Sequence, residues 1–447
     1  MAATHFPTAR DTAMRWLWSS RSIAAPAQLA RVSTPTKTLT RRWSVRGGVA
    51  RKAVAISGVG LVVLGIAGCQ QSQPSEGGEA QADLKIVEQV QIDQNGAEVP
   101  PPEEAAAADP AGNGQAQCPP VSIAMAGALN GPDAQLGINI KNGIQLAVDK
   151  HNAANPGCQV QLKTFDTEGD PQKATQVAPQ IINDAFTIGL IGPAFSGETN
   201  ATGDVFNQAG LVAATASATN VTLSEKGWRT FFRGLGNDGV QGPAVANYMK
   251  NTLGWDKVCV VDDSTDYGLG LAQAIRETLG PVADSGCNIS VKKGDKDFSA
   301  AITQIKGVNP KGVFFSGYYA EAAPLAQQLK DGGFEGTFVS GDGTKDPAFV
   351  NQAGAAAKDA LLSCPCGPAT GSFAEEYTQR FGEPSTYSAE GYDLGTILLK
   401  GIDSGAITRP ALLEYVRNYN GQGVARKYQW TPNGELTTSL IWIYKVQ

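Results

Sequence analysis

Histidine is almost missing from this chain: His5 and His151 are the only two in 447 residues. Sites built on paired imidazoles, whether catalytic or metal-binding, are therefore out of reach. The cysteines show no paired CxxC spacing, which argues against structural zinc, and neither a metal nor a cofactor is expected. Nucleophile-elbow and phosphate-loop motifs are also lacking. One dinucleotide-type match exists, Gly234-Leu-Gly236-Asn-Asp-Gly239, after a predicted strand and before a predicted helix. Asp238 would set a carboxylate beside the pyrophosphate there, so the match carries little weight. An enzyme is not expected.

Positive charge is scarce outside the N-terminal region. Residues 1–68 carry ten Lys/Arg against Asp11 alone, a surplus of nine, which leaves about −15 from Cys69 onward when the whole chain has −6. So acidic a remainder argues against a nucleic-acid partner, which needs clustered Lys and Arg for phosphate contacts. The basic start leads into an uncharged stretch, Ala53–Gly68, ending Ile66-Ala67-Gly68-Cys69. That stretch is short for a stable membrane span, and small residues precede the cysteine, as signal cleavage requires. Ile-Ala-Gly-Cys resembles a bacterial lipobox, which implies lipidation of Cys69 and an extracytoplasmic protein anchored to the cell membrane. Arg41-Arg42 matches a twin-arginine signal only weakly and is discounted. Residues 1–44, rich in Ser, Thr, Arg and Ala, precede a complete signal peptide, and translation is expected to begin near Val45 or Val49.

Six further cysteines, an even number in an exported chain, suggest disulfides. Strand placement narrows the fifteen pairings to Cys118–Cys158, Cys259–Cys287 and a tight Cys364-Pro-Cys366 ring. Residues 70–117 are rich in Gln, Glu, Ala and Pro, with nine acids against Lys85. With the lipidated Cys69, they read as a disordered acidic tether, 69–117.

From Val121 the pattern becomes short apolar strands alternating with amphipathic helices. A first series of strands is expected at 121–126, 160–165, 188–192, 211–215 and 231–235. A second follows at 258–262, 288–292, 312–316, 337–340 and 360–363, and a final strand pair at 427–430 and 439–446. Alternating βα units with apolar strands indicate parallel sheets covered on both faces. Two such series give an α/β chain of two doubly wound parallel-sheet lobes. In such sheets ligands bind beyond the carboxyl ends of the strands, where helix N-termini point free N–H groups outward.

Those strand ends carry the candidate site. Gly192-Pro-Ala-Phe-Ser196-Gly-Glu-Thr199 opens a helix with Ser196 as its expected N-cap; taken alone, capping accounts for it. The next strand runs into Ala216-Ser217-Ala218-Thr219, again small hydroxyl residues at a strand end. In the second series Asp266-Tyr267-Gly268, Gly317-Tyr318 and Ser340-Gly-Asp342-Gly343 follow strands. An anion holder in one lobe would thus face a carboxylate flanked by aromatics in the other, a separation that suits an α-amino acid.

These segments, together with Gly127–Gly137, resemble those of the leucine/isoleucine/valine-binding proteins, receptors of the type I periplasmic binding fold that feed branched-chain amino-acid ABC importers. The resemblance runs from about Val121 to the C-terminus. It implies that Ser196 and Thr219 hydrogen-bond the ligand carboxylate, with Ala218 in the same segment. Ser217 would offer its backbone carbonyl, and Asp342 its carboxylate, to the ammonium. Tyr267 and Tyr318 would cover the ligand, with Tyr387 as an aromatic wall. It also implies a three-crossing hinge near Gly236–Asp238, Cys364–Cys366 and Gly434–Thr437. Lobe 1 is then 118–236 with 366–435, and lobe 2 is 237–365 with 436–447. The partners implied are a small amino acid, of branched-chain type, and ABC permease subunits, with the receptor itself a monomer. Two departures leave the ligand's side chain open: Asp342 stands where these receptors usually have Glu, and Leu136 where an aromatic often lines the pocket. The alternative is a sensor of the same fold that binds an amide or small carboxylate without transport.

Overall fold

The computed structural model describes residues 84–101 and 105–447. The signal segment, Cys69, the rest of the chain up to 83, and His5 lie outside the described residues. Two strands come first, β1 (Ile86–Ile92) and β2 (Glu98–Val99). The first βα series then runs β3 (Val121–Gly127), α1 (Ala134–Ala154), β4 (Val160–Asp166), α2 (Pro171–Ile182), β5 (Thr187–Ile191), α3 (Ser196–Gln208), β6 (Val212–Thr215) and β7 (Phe231–Arg233). The second runs α4 (Asp238–Asn247), β8 (Val258–Asp262), α5 (Asp266–Leu279), β9 (Ala283–Ser290), α6 (Ser299–Val308), β10 (Gly312–Ser316), α7 (Tyr319–Asp331), β11 (Thr337–Ser340), α8 (Pro347–Ala353) and β12 (Leu361–Cys364). After these come α9 (Gly371–Phe381), α10 (Ser388–Asp403), α11 (Arg409–Arg417), β13 (Asn420–Gln422), β14 (Lys427–Gln429) and β15 (Ile441–Val446).

Helices begin where the sequence supplies caps. Asp170 accepts from the amides of Gln172 and Lys173, Thr265 from Gly268 and Asp346 from Ala348, with Pro171 and Pro347 at first helical positions. Strands β3, β5, β8 and β10 are buried along their whole length, as apolar runs covered by helices on both faces must be. One parallel sheet has the order β4-β3-β5-β6-β7, and the parallel part of the other repeats it as β9-β8-β10-β11-β12. Each sheet therefore has a switch point, between β3 and β5 and between β8 and β10, where the loops diverge and leave a crevice. The α/β fold expected from the pattern is the one observed. Among the described residues no helix is long and apolar enough to cross a membrane.

Two expectations are corrected. The proposed tether is partly folded: β1 pairs antiparallel with β15 over Ile86–Ile92, and β2 pairs with β1, extending the second sheet to eight strands. Asp93-Gln-Asn-Gly96 makes the turn, with Asp93 Oδ1 accepting from the amides of Asn95 and Ala97 and Gly96 at a φ of 74°. The acidic, Gln-rich composition hid a hairpin whose Ile92 is completely buried. Secondly, Lys427–Gln429 and Ile441–Val446 do not pair with each other. The former joins β13 and the latter lies between β12 and β1. His151 of α1 is buried, with Nε2 2.7 Å from Asp403 Oδ1.

The chain passes between the two sheets' lobes after β7, after β12 and after β14, near the three expected crossings. It also does so between Val99 and Ala108. The hairpin is held to lobe 2, where Asn247 and Thr252 donate to the Gln94 and Gly96 carbonyls. Ala108 N–H donates to Gln422, and Ala116 N–H to Asn155 Oδ1, on lobe 1. The cysteines meet in the expected pairs, sulfurs at bonding distance and Cα atoms 4.6, 5.2 and 4.9 Å apart.

The hairpin covers an apolar edge, since Ile441, Trp442, Ile443 and Tyr444 of β15 are all buried. A chain starting at Gln117 should therefore melt several degrees lower than one starting at residue 84, and associate on heating. Equal melting temperatures and equal monodispersity by light scattering would contradict this role.

Candidate functional site

The crevice at the two switch points is closed over a narrow cavity of about 10 Å³. Seven of the nine residues singled out in the sequence line it: Leu136, Ser196, Ser217, Tyr267, Tyr318, Asp342 and Tyr387. Ala194 and Phe195 complete the lining. Ala218 and Thr219 stand behind it. The Ala218 carbonyl accepts from the buried Arg233 guanidinium and its amide donates to Thr215 Oγ1, so both its backbone groups are occupied. Thr219 is fully buried, its hydroxyl without a hydrogen-bond partner.

Lobe 1 supplies the donors. Phe195, in an extended conformation, is the N-cap of α3, and Ser196 is the first helical residue rather than the cap that the sequence suggested. Glu198, one turn on, reaches back so that Phe195 N–H donates to its Oε2 at 3.1 Å. The capping duty thus falls on Glu198. The first-turn amides of α3 keep no intrahelical acceptor, and Ser196 Oγ accepts from Asn220 N–H at 3.2 Å. Ser217 donates its hydroxyl to the Ala194 carbonyl at 2.6 Å, which joins the β5 and β6 ends into one wall.

Lobe 2 supplies the acid. Asp342 follows β11, almost fully buried, and accepts from Tyr267 Oη at 2.9 Å and Tyr387 Oη at 2.5 Å. Tyr267 begins α5 in lobe 2, whereas Tyr387 precedes α10 in lobe 1, so one carboxylate binds hydroxyls from both lobes. Burial pushes the Asp342 carboxyl up from the usual carboxylate range, and the two hydroxyls act in the opposite direction. Burial likewise holds both tyrosines protonated, well above their ordinary range, so that they remain donors. The flanking glycines admit Tyr267: a Cβ at Gly341 would lie 2.6 Å from its hydroxyl, and one at Gly343 would lie 2.8 Å from the Gly317 carbonyl. Tyr387 holds a φ of 70°, a conformation costly for a residue with a Cβ, which turns its ring inward at the start of α10. Phe195 and Tyr318 face each other across the lobes with centroids 4.9 Å apart.

Sequence reasoning missed Phe195, which the Ser196 motif overshadowed, and a group of buried acids around the cavity. Asp238 opens α4 with both carboxylate oxygens buried and without a hydrogen-bond partner. Burial, and next the charge of Asp342, push it up to about 8.

Residues 120–447 match the family described as periplasmic binding protein. An amino acid binding protein of Pseudomonas aeruginosa is 28% identical over 335 residues, covering 73% of this chain and 90% of that one. A Leu/Ile/Val-binding protein homologue of Brucella melitensis is 32% identical over 249 residues, 54% of this chain and 67% of its own. Among solved structures, the substrate-binding protein of a branched-chain amino acid transporter from Streptococcus pneumoniae, in complex with isoleucine, superposes with a TM-score of 0.68. It is 27% identical and spans 72% of this chain and 95% of that one.

Because the folded Asp238 keeps a proton that the unfolded chain releases near pH 4, stability should fall as pH rises from about 4 toward 8. Asp238→Asn removes that cost. Its melting temperature should exceed that of the unaltered protein by a few degrees at pH 8 and by less at pH 5. An advantage independent of pH would contradict this assignment.

Proposed function

The chain belongs to the periplasmic binding protein family, among its leucine/isoleucine/valine-binding members, and from that premise we propose that it captures a small amino acid between its lobes and presents it to an ABC importer. The observation that carries this reading is the pairing of unlike ends across one small cavity. At one end are the first-turn amides of α3 with Ser196; at the other is Asp342, which accepts from the neutral hydroxyls of Tyr267 and Tyr387. A ligand carboxylate suits the helix N-terminus, where free N–H groups and the helix dipole favour negative charge. A ligand ammonium suits Asp342, which has about four lone-pair sites and gives two to the tyrosines. Leu136, Ala194 and Phe195 present an apolar wall between these ends, in keeping with an aliphatic side chain of branched-chain type.

Closure by rotation about the interlobe crossings brings Tyr267, Tyr318 and Asp342 over a ligand already seated on lobe 1. Water leaves, and the buried charges are stable only when every donor and acceptor of the ligand is met. The family implies an extracytoplasmic location. Within that setting, the protein is a monomeric lipoprotein held to the membrane through Cys69, its pairs Cys118–Cys158, Cys259–Cys287 and Cys364–Cys366 oxidised. Its closed form docks on permease subunits carried by other chains.

Asp342→Asn preserves size while removing the charge, with one tyrosine hydroxyl still donating to the amide oxygen and the other turning to accept from the amide NH2. L-Leucine, L-isoleucine or L-valine binding to the unaltered protein should be readily measured by isothermal titration. The variant should lose roughly 30-fold or more in affinity, the scale of a buried charge pair left incomplete. Its ligand-free melting temperature should change little or rise. Retained affinity in the variant would remove Asp342 from the site, and no binding of any amino acid to the unaltered protein would refute the reading.

A further inference from the structure

Beside the cavity, and outside its lining, Lys293 stands between the lobes. It belongs to lobe 2, in the turn after β9, and that turn is fixed: Lys293 N–H donates to the Asp263 carbonyl at 3.1 Å and Gly294 N–H to Glu321 Oε1 at 2.8 Å. Its ammonium crosses to lobe 1, where it lies 3.1 Å from Asp133 Oδ2, 3.4 Å from the Gly169 carbonyl and 5.1 Å from the Phe195 ring centroid. It also sits 4.8 Å from the centroid of Tyr318, on its own lobe, so it spans the aromatic pair that walls the cavity. Of the ion pairs among the described residues, this is the one that joins the two lobes.

The partner shows why the contact matters. Asp133 precedes α1, is 1% exposed, and neither of its oxygens accepts a hydrogen bond. In the closed form Lys293 is its only ion-pair partner among the described residues. Other carboxylates crowd the same layer: Glu198 from lobe 1, and Asp263 and Glu321 from lobe 2, each with one oxygen unpartnered. Burial foremost pushes Glu198 and Glu321 up to about 7 and Asp263 to about 6, and the charge of Lys293 opposes the rise in all three. A buried carboxylate without a cation is strongly unfavourable, whereas separated lobes would return Asp133 to water.

We propose that Lys293 is a positioning residue for ligand capture: as the cationic latch on Asp133 it stabilises the closed form and holds Phe195 and Tyr318 against the ligand, without touching the ligand itself. The proposal rests on the reading of the cleft as a ligand-gated site. Lys293 is about 29% exposed and the latch joins two lobes that each carry their own sheet, so its loss is expected to act on closure rather than on folding.

The test compares Lys293→Met and Lys293→Arg with the unaltered protein. Lys293→Met should weaken L-leucine binding about tenfold while the ligand-free melting temperature stays the same, and Lys293→Arg should restore most of the affinity. Asp133→Asn combined with Lys293→Met should lose no more than Lys293→Met alone, since the two act as one pair. Affinity of Lys293→Met within twofold of the unaltered protein would overturn the latch. So would an arginine variant no better than methionine, which would assign the effect to packing. Should the unaltered protein bind no branched-chain amino acid, the functional reading fails separately, and small-angle scattering then decides. A larger radius of gyration for ligand-free Lys293→Met supports the latch, and an unchanged one overturns it.

Discussion

A carboxylate taken out of water needs donors placed around it, and the cleft of this protein is arranged about one such group. Asp342 receives a tyrosine hydroxyl from each lobe, Tyr267 from its own and Tyr387 from the other. Neither donor is charged, so the acid is held in place without being neutralised. That combination keeps the site rigid and still short of positive charge. It also makes the acid sensitive to closure, because only the closed arrangement brings Tyr387 to it. The left-handed backbone at Tyr387, which costs about 1–3 kcal/mol, is the local strain accepted for that orientation.

The opposite end of the cleft follows from helix physics rather than from charge. An extended Phe195 and a helix beginning at Ser196 leave amides free, and Glu198 satisfies the one amide that would otherwise compete. Among the described residues no arginine or lysine lines the cavity itself. A site with a dipolar end and a carboxylate end reads orientation as well as composition: a zwitterion fits one way round. Around it, buried acids outnumber cations, with Asp133, Glu198, Asp238, Asp263 and Glu321 all nearly inaccessible. The closed form therefore depends on the few cations present, and Lys293 occupies the position where one is most needed.

Much of this was legible in the sequence, for physical reasons that differ by element. The buried strands β3, β5, β8 and β10 are continuous apolar runs, and their βα alternation dictates parallel sheets. Given parallel sheets, ligand chemistry belongs at strand ends, which is how Ser196, Ser217, Tyr267, Tyr318 and Asp342 could be singled out. What escaped was composition masking pattern and contact beyond sequence reach. The hairpin at 86–99 carries an Asn-Gly turn signal, yet its Gln and Glu suggested a solvated tether. Phe195 looked like a spacer beside Ser196. Lys293 and Asp133 are far apart in the chain and share no motif, and only the closing of two lobes makes them neighbours.

The central claim is that one small zwitterion is held with its carboxylate at the start of α3 and its ammonium at Asp342. A crystal structure of the protein with L-leucine bound tests it most directly. The leucine carboxylate is expected within hydrogen-bond reach of Ser196 and the α3 amides, and its ammonium on Asp342 between Tyr267 and Tyr387. Leucine in the reverse orientation, or bound away from Asp342, would contradict it.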